Sequence, residues 1–135
     1  MKKTRFLLIG FVLFTGIIFF SCMSFVIPQK YIVEPDLNNP FQGSWIYITD
    51  SGSLGRGMLV INGYNAVSYS LKDAITGWVE GVHYIVNPNS PTEWRLNDDK
   101  QILTHQFQHE GRQVIGRYAR YKENMPASSY SYVQK

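Results

Sequence analysis

The sequence predicts an all-β domain, a small antiparallel up-and-down meander that closes into a barrel of about eight strands. From residue 40 onward, apolar and polar side chains alternate with a period of two. Clusters of Gly, Asn, Asp and Pro interrupt the alternating segments at short intervals. No segment keeps a helical apolar period long enough to provide a crossover helix, so consecutive strands are expected to pair antiparallel.

The chain begins with a segment that has the layout of a secretory signal. Its first five residues include three basic ones, and the stretch from Phe6 to Phe20 is apolar apart from Thr15 and two glycines. This apolar stretch is shorter than the roughly 20 residues that a permanent membrane-spanning helix needs. Residues 1–21 are therefore predicted to be a signal peptide.

The end of this segment reads Phe19-Phe20-Ser21-Cys22. It resembles a relaxed lipobox of bacterial lipoproteins, in which the Cys receives acyl chains such as palmitate. The resemblance implies a lipoprotein of the cell envelope, held outside the cytoplasm by lipid on Cys22. Met23 is not the Asp associated with inner-membrane retention, which favours the outer membrane. The alternative is a cysteine that happens to end an uncleaved anchor helix.

Residues 22–39 are predicted to be the lipidated Cys and a tether, because they contain two prolines and two asparagines and show no sustained period. A flexible stretch of this length spans roughly 20 Å. Residues 25–27 and 31–33 are apolar, so part of the tether is expected to lie on the membrane or on the domain.

A β-barrel domain is assigned to residues 40–135. Its candidate strands are rich in β-branched and aromatic residues. They cover residues 44–49, 58–61, 66–71, 77–86, 93–96, 101–108, 113–121 and 129–133. Asn62-Gly63 predicts a type I′ hairpin, and Glu110-Gly111 marks another turn. Tyr130 and Tyr132 are expected to pair with the first strand and close the barrel, with a frayed tail as the alternative.

Two short motifs carry a family resemblance. Residues 39–45 read Asn-Pro-Phe-Gln-Gly-Ser-Trp, and residues 114–118 read Val-Ile-Gly-Arg-Tyr. They are similar to the Asn-Pro-Phe-x-Gly-x-Trp start and the late Gly-x-Tyr strand of small bacterial lipocalin-like lipoproteins.

The resemblance assigns structural roles at the closed end of the barrel. It implies that Gly43 and Trp45 lie there and that Arg117 or Arg120 stacks on the Trp45 ring. We place Arg117 with Gly43 and Trp45 as the barrel-closing residues. Full lipocalins are longer and carry a C-terminal helix, so a barrel filled by side chains is the alternative to a hollow one.

The predicted ligand-binding residues are mainly aromatic. Trp78, Glu80 and Tyr84 alternate on one face of a predicted strand, and Trp94 and Tyr118 are the other rings expected to line a cavity. If that face points inward, the Glu80 carboxylate needs a partner such as Arg95 or Arg117. The alternative is that Glu80 is exposed or structurally paired.

Other function classes lack support in the sequence. The formal charge of +3 comes from the signal, and the remaining ten basic and ten acidic residues give no basic face for nucleic acid. No nucleophile motif or phosphate-binding loop predicts an enzyme, and no cofactor is expected. His105 and His109 would lie about 13 Å apart on a strand, too far for one metal ion, so they are expected to be solvated histidines.

Two functions are consistent with these features. The first is a lipid-anchored envelope protein whose barrel binds a small apolar or amphipathic ligand. The alternative is a non-enzymatic surface protein with a filled barrel that contacts another envelope or host protein. A cavity lined by Trp78 or Tyr84 would favour the first, and an external apolar patch would favour the second.

Overall fold

The computed structural model describes residues 24–126, and all its regular elements are strands apart from one 3-10 turn at Gln29–Tyr31. The strands are β1 (Ser24–Phe25), β2 (Gly43–Ile48), β3 (Leu54–Asn62), β4 (Asn65–Leu71), β5 (Trp78–Ile85), β6 (Trp94–Leu96), β7 (Ile102–His109), β8 (Arg112–Arg120) and β9 (Met125–Pro126).

Strands β2 to β8 form one antiparallel sheet in the order β5-β4-β3-β2-β8-β7-β6, curled into a half-barrel. The predicted all-β antiparallel fold is therefore confirmed. The sheet joins two meanders, β2 to β5 and β6 to β8, through the pairing of β2 with β8. Within residues 24–126, no backbone pairing joins the edge strands β5 and β6, so the half-barrel is open along this seam.

The predicted closure does not arise where it was expected. Both sides of β2 already carry partners, β3 on one side and β8 on the other. Tyr130 and Tyr132, which were expected to pair with this strand, lie outside the described residues. The segment between β5 and β6 contains Pro88 and Pro91, which lack the N–H groups that a sheet ladder requires.

Two tight hairpins set the register of the meanders. Asn62 pairs with Asn65, so the β3–β4 turn centres on Gly63 and Tyr64, with a positive φ at Gly63 alone. This is the pattern of a type II′ turn, so the hairpin is present but the predicted type I′ geometry is not. The β7–β8 turn has positive φ at both Glu110 (52°) and Gly111 (74°), as type I′ requires.

The two faces of the sheet carry separate apolar clusters. Side chains from the two edge strands meet on one face, which is therefore the concave one. The concave cluster contains Phe41, Trp45, Leu59, Ile61, Ala66, Val86, Trp94 and Leu103, with Tyr84, Leu96 and Tyr118 packed against it. The convex cluster is built around the buried residues Ile27, Ile46, Ile48, Met58, Ala119 and Met125.

The segment before β2 covers the convex face. Ile27 is 3% exposed, and the Tyr31 ring lies 4.8 Å from the Tyr69 ring of β4. The hydroxyl of Ser44 donates to the Tyr31 carbonyl and accepts from the Val33 N–H. Residues 27–33 of the predicted tether therefore pack on the domain, one of the two placements expected for its apolar part.

Candidate functional site

Three of the five predicted ligand-binding residues come together. Tyr84 on β5, Trp94 on β6 and Tyr118 on β8 all belong to the concave cluster. Trp94 is buried, whereas the two tyrosines are partly buried. The rings of Tyr84 and Trp94 meet edge to face across the open seam, with 6.1 Å between centroids. Side chains rather than backbone hydrogen bonds thus bridge the two edges of the sheet.

Trp78 and Glu80 lie on the opposite face from Tyr84. The pairing of β4 with β5 shifts register between Val67 and Tyr69, so Tyr84 pairs with Ala66, whereas Glu80 pairs with Tyr69. A β-bulge inserts one residue and reverses the parity of the strand beyond it. Trp78 accordingly packs on the convex cluster. The prediction that Trp78, Glu80 and Tyr84 share a face assumed an uninterrupted alternation, and the bulge interrupts it.

Glu80 has a local partner on its own strand. Its Oε1 lies 2.8 Å from Nε2 of His83, and both side chains are largely exposed. Glu80 thus follows the exposed, structurally paired alternative rather than pairing with Arg95 or Arg117 inside the half-barrel. An exposed pair of this kind contributes little to stability.

His105 occupies the centre of the aromatic residues on the concave face. Its imidazole stacks on Trp94 at 3.7 Å and on Phe107 at 4.8 Å, and the edge of Tyr84 approaches it at 4.7 Å. His105 is 3% exposed. Burial among rings disfavours the charged imidazolium and lowers the pKa of His105 to about 4. The ring is therefore neutral near pH 7 and acts as a flat packing surface.

The partly exposed rings of the concave face form what we call the aromatic trough, defined by Tyr47, Tyr84, Phe107 and Tyr118. The rings of Tyr47 and Tyr118 meet edge to face at 5.9 Å. Burial raises the pKa of Tyr118 to about 12 and also raises that of Tyr84. Both phenols therefore keep their protons at neutral pH and can donate hydrogen bonds to a ligand.

Glycines make room for the trough. A Cβ at Gly57 would lie 3.0 Å from Cβ of Tyr47, and one at Gly116 would lie 3.1 Å from the Tyr118 ring. The missing side chains leave room for the Tyr47 side chain and for the Tyr118 ring. Sequence reasoning assigned no ligand role to Tyr47 or Phe107, although Phe107 follows Leu103 and His105 at a strand spacing of two.

One end of the half-barrel is built around Trp45, which is fully buried. Its indole N–H donates to the Phe41 carbonyl at 2.9 Å, and the Arg120 guanidinium lies over its ring. Of the two arginines considered from the sequence, Arg120 therefore occupies this position. Arg117 pairs with Thr104 and precedes the convex residue Ala119 by two positions, so it lies on the other face of β8.

A separate groove of about 310 Å³ lies near that end. Its lining residues are Asp99, Gln101, Ile102, Ala119, Arg120 and Lys122. None of the five predicted ligand-binding residues is among them. The deeper part of the concave face is filled by its own side chains, since Trp45, Leu59, Ile61 and Leu103 are all 0% exposed.

Metal and membrane features are sparse in the described part of the chain. Between residues 24 and 126, no three His, Cys, Asp or Glu side chains come close enough together to hold a metal ion. The same residues include no helix that is both long and apolar enough to cross a membrane.

Comparison with protein-family models, with curated proteins and with solved structures gives no match for this chain.

Proposed function

We propose that this chain is a lipid-anchored lipoprotein of the cell envelope, in which the lipocalin-like half-barrel binds a small apolar or amphipathic ligand along the aromatic trough. Acyl chains on Cys22 would hold it in the membrane, with the outer membrane as the expected location. The observation that carries the ligand proposal is the set of partly exposed rings at Tyr47, Tyr84, Phe107 and Tyr118, which line the concave face above a filled core.

The chemistry of the trough suits a ligand with a flat or elongated apolar part and a polar group. Each favourable ring contact is worth about 0.5–1.5 kcal/mol beyond the area that it buries. The hydroxyls of Tyr84 and Tyr118 are protonated and can donate to a ligand oxygen. The seam offers a route of entry, because Tyr84 and Trp94 can separate without breaking a sheet hydrogen bond.

Two tryptophans on opposite faces allow a matched binding test. The chain without its signal is titrated with an environment-sensitive fatty-acid probe while Trp fluorescence is followed. We expect saturable binding of the probe whose affinity falls several-fold in Trp94→Phe and is unchanged in Trp78→Phe, because Trp94 belongs to the concave cluster and Trp78 packs on the convex one. Absence of saturable binding, or equal loss in the two variants, would contradict a ligand site on the concave face.

The anchor is tested separately in a bacterial host that processes lipoproteins. We expect cells fed labelled palmitate to label the wild-type chain and not Cys22→Ala. The variant should also leave the membrane fraction when cells are broken. A free thiol on Cys22 in the mature membrane-bound protein would refute the anchor and leave the ligand proposal standing.

The edge strand β5 favours the second function, an interaction protein of the cell surface. Val82 and Ile85 of this strand are 55% and 71% exposed. Among residues 24–126, no other strand pairs with the outer edge of β5. Such an edge can accept a strand from another protein. For this function, the fatty-acid titration should show no binding, and lysines at both positions should abolish co-purification of one envelope protein.

A further inference from the structure

The β3–β4 turn begins with an Asn-Gly sequence, a dipeptide that is prone to spontaneous deamidation. The glycine nitrogen, once deprotonated, attacks Cγ of the asparagine and expels ammonia, which leaves a five-membered succinimide ring. Water then opens the ring to aspartate or to isoaspartate, whose main chain runs through the side-chain carbon. Asn62 is exposed at the end of β3, and Gly63 offers no side chain that would hinder the attack.

Two side chains from the segment before β2 hold both main-chain polar groups of Gly63. The Gly63 N–H donates to Oε1 of Gln42 at 3.0 Å, and Nδ2 of Asn39 donates to the Gly63 carbonyl at 2.6 Å. A central residue of a two-residue turn has no partner for these groups in the strand ladder, so the two amides supply what the ladder cannot. Asn39 is 7% exposed, which fixes its amide within the fold.

The Gln42 carboxamide shields the nitrogen that would have to attack. Its Nε2 donates to the Glu34 carbonyl at 2.9 Å, so its oxygen is the atom that faces the Gly63 N–H. An N–H whose proton is held by an acceptor is harder to deprotonate, and only the deprotonated nitrogen attacks. The pairing of Asn62 with Asn65 also opposes the main-chain rotation that would bring this nitrogen to Cγ.

We propose that Asn62 is a modification site at which this chain forms isoaspartate, and that the Gln42 carboxamide keeps the site latent in the folded protein. An isoaspartyl link adds one carbon to the main chain beside the pair of Ile61 and Ala66, which are 0% and 1% exposed in the concave cluster. Conversion would therefore disturb the register that places these side chains in the core. The inference depends on neither the lipid anchor nor the ligand proposed above.

The test follows isoaspartate at Asn62 in the full chain, which is kept in mildly alkaline buffer and then digested for mass spectrometry. Gln42→Met removes the acceptor, whereas the matched control Gln42→Glu keeps an oxygen that faces the Gly63 N–H. Both variants lose the donor to the Glu34 carbonyl. We expect slow conversion in the folded wild type and in Gln42→Glu. Gln42→Met should convert several-fold faster, toward the rate of the wild-type chain unfolded in urea.

Asn89, which is exposed and precedes Ser90, serves as the internal reference, and its conversion should be equal in the three folded chains. Equal conversion of Asn62 in the folded and the urea-unfolded wild type would overturn the proposal. Equal rates at Asn62 in folded Gln42→Met and Gln42→Glu would overturn the role of Gln42.

Hydrogen exchange in the wild type tests the same shielding without any substitution, and it decides the matter if Gln42→Met does not fold. The Gly63 amide hydrogen should exchange several-fold more slowly than that of Gly111, a turn glycine whose N–H has no partner among residues 24–126. Exchange at Gly63 as fast as at Gly111 would show that Gln42 does not hold this proton, and the proposal would fall.

Discussion

The guanidinium carbon of Arg120 lies 4.2 Å from the centre of the Trp45 ring. The same guanidinium donates to the carbonyl oxygens of Gln42 at 2.9 Å and Pro40 at 2.6 Å. One side chain from the end of β8 thus holds the segment that leads into β2 and covers the Trp45 ring. The Arg120 side chain therefore links two parts of the chain that are about 80 positions apart in sequence.

Replacement of Arg120 should lower the stability of the fold. Arg120→Met removes the ring contact and leaves two partly buried carbonyls without their donor, so we expect a loss of about 2–3 kcal/mol. Arg120→Lys keeps the charge but not the planar fork, and it should lose an intermediate amount. Urea unfolding measures both. The exposed Arg112→Met is the control, and an equal loss there would contradict this role.

Gly43 is expected to be intolerant of a side chain. Its φ of 144° is unfavourable for other residues, and a Cβ there would lie 2.8 Å from Nη1 of Arg120. We expect Gly43→Ala to destabilise the fold by about 2–3 kcal/mol in urea unfolding. Gly111→Ala is the matched control, since its φ is also positive but its Cβ would meet nothing within 4 Å. If the two variants lose the same free energy of unfolding, the contact with Arg120 does not explain the intolerance at Gly43.

His105 should make stability fall as the pH falls from 6.5 to about 4. The unfolded chain takes up a proton first in this range, whereas the folded chain keeps its imidazole neutral, so protonation favours unfolding. Above pH 6.5 the ring is neutral in both states and the effect vanishes. A shift of this size corresponds to roughly 3 kcal/mol. Urea unfolding at several pH values should show the slope in the wild type and a flatter profile in His105→Phe.

The exposed His83 provides the control for this pH dependence. His83→Gln removes a histidine whose side chain is 66% exposed, so its pH profile should keep the wild-type slope between pH 4 and 6.5. A wild-type slope that persists in His105→Phe would show that another group is responsible.

Loss of one ring from the trough should weaken probe binding without unfolding the chain. Tyr84→Leu keeps an apolar side chain but removes the ring and the hydroxyl, and we expect the fatty-acid probe to bind about tenfold more weakly. Tyr69→Leu removes a ring that packs on the convex cluster. Its affinity should match that of the wild type, and a similar loss in both would place the probe elsewhere.

The sequence predicted some of the rings that the fold brings together on the concave face. Tyr84, Trp94 and Tyr118 were predicted as cavity-lining rings, and the fold brings all three to the concave cluster. His105 was expected to be solvated, but it is buried, because its stacking on Trp94 depends on the pairing of β6 with β7. Arg120 and Arg117 were indistinguishable, because only the pairing of β8 with β2 decides which reaches Trp45.

The sequence by itself determined the strand-rich composition, the positions of the turns and the antiparallel order, because hydrogen bonding and φ preferences between near neighbours control them. Only the tertiary structure decided which face of β5 carries each side chain. The hydroxyl of Ser68 accepts from the Val82 N–H at 2.8 Å, and a Cβ at Gly81 would lie 2.8 Å from that same hydroxyl. The bulge exists because two strands meet there, so no pattern within one strand can specify it.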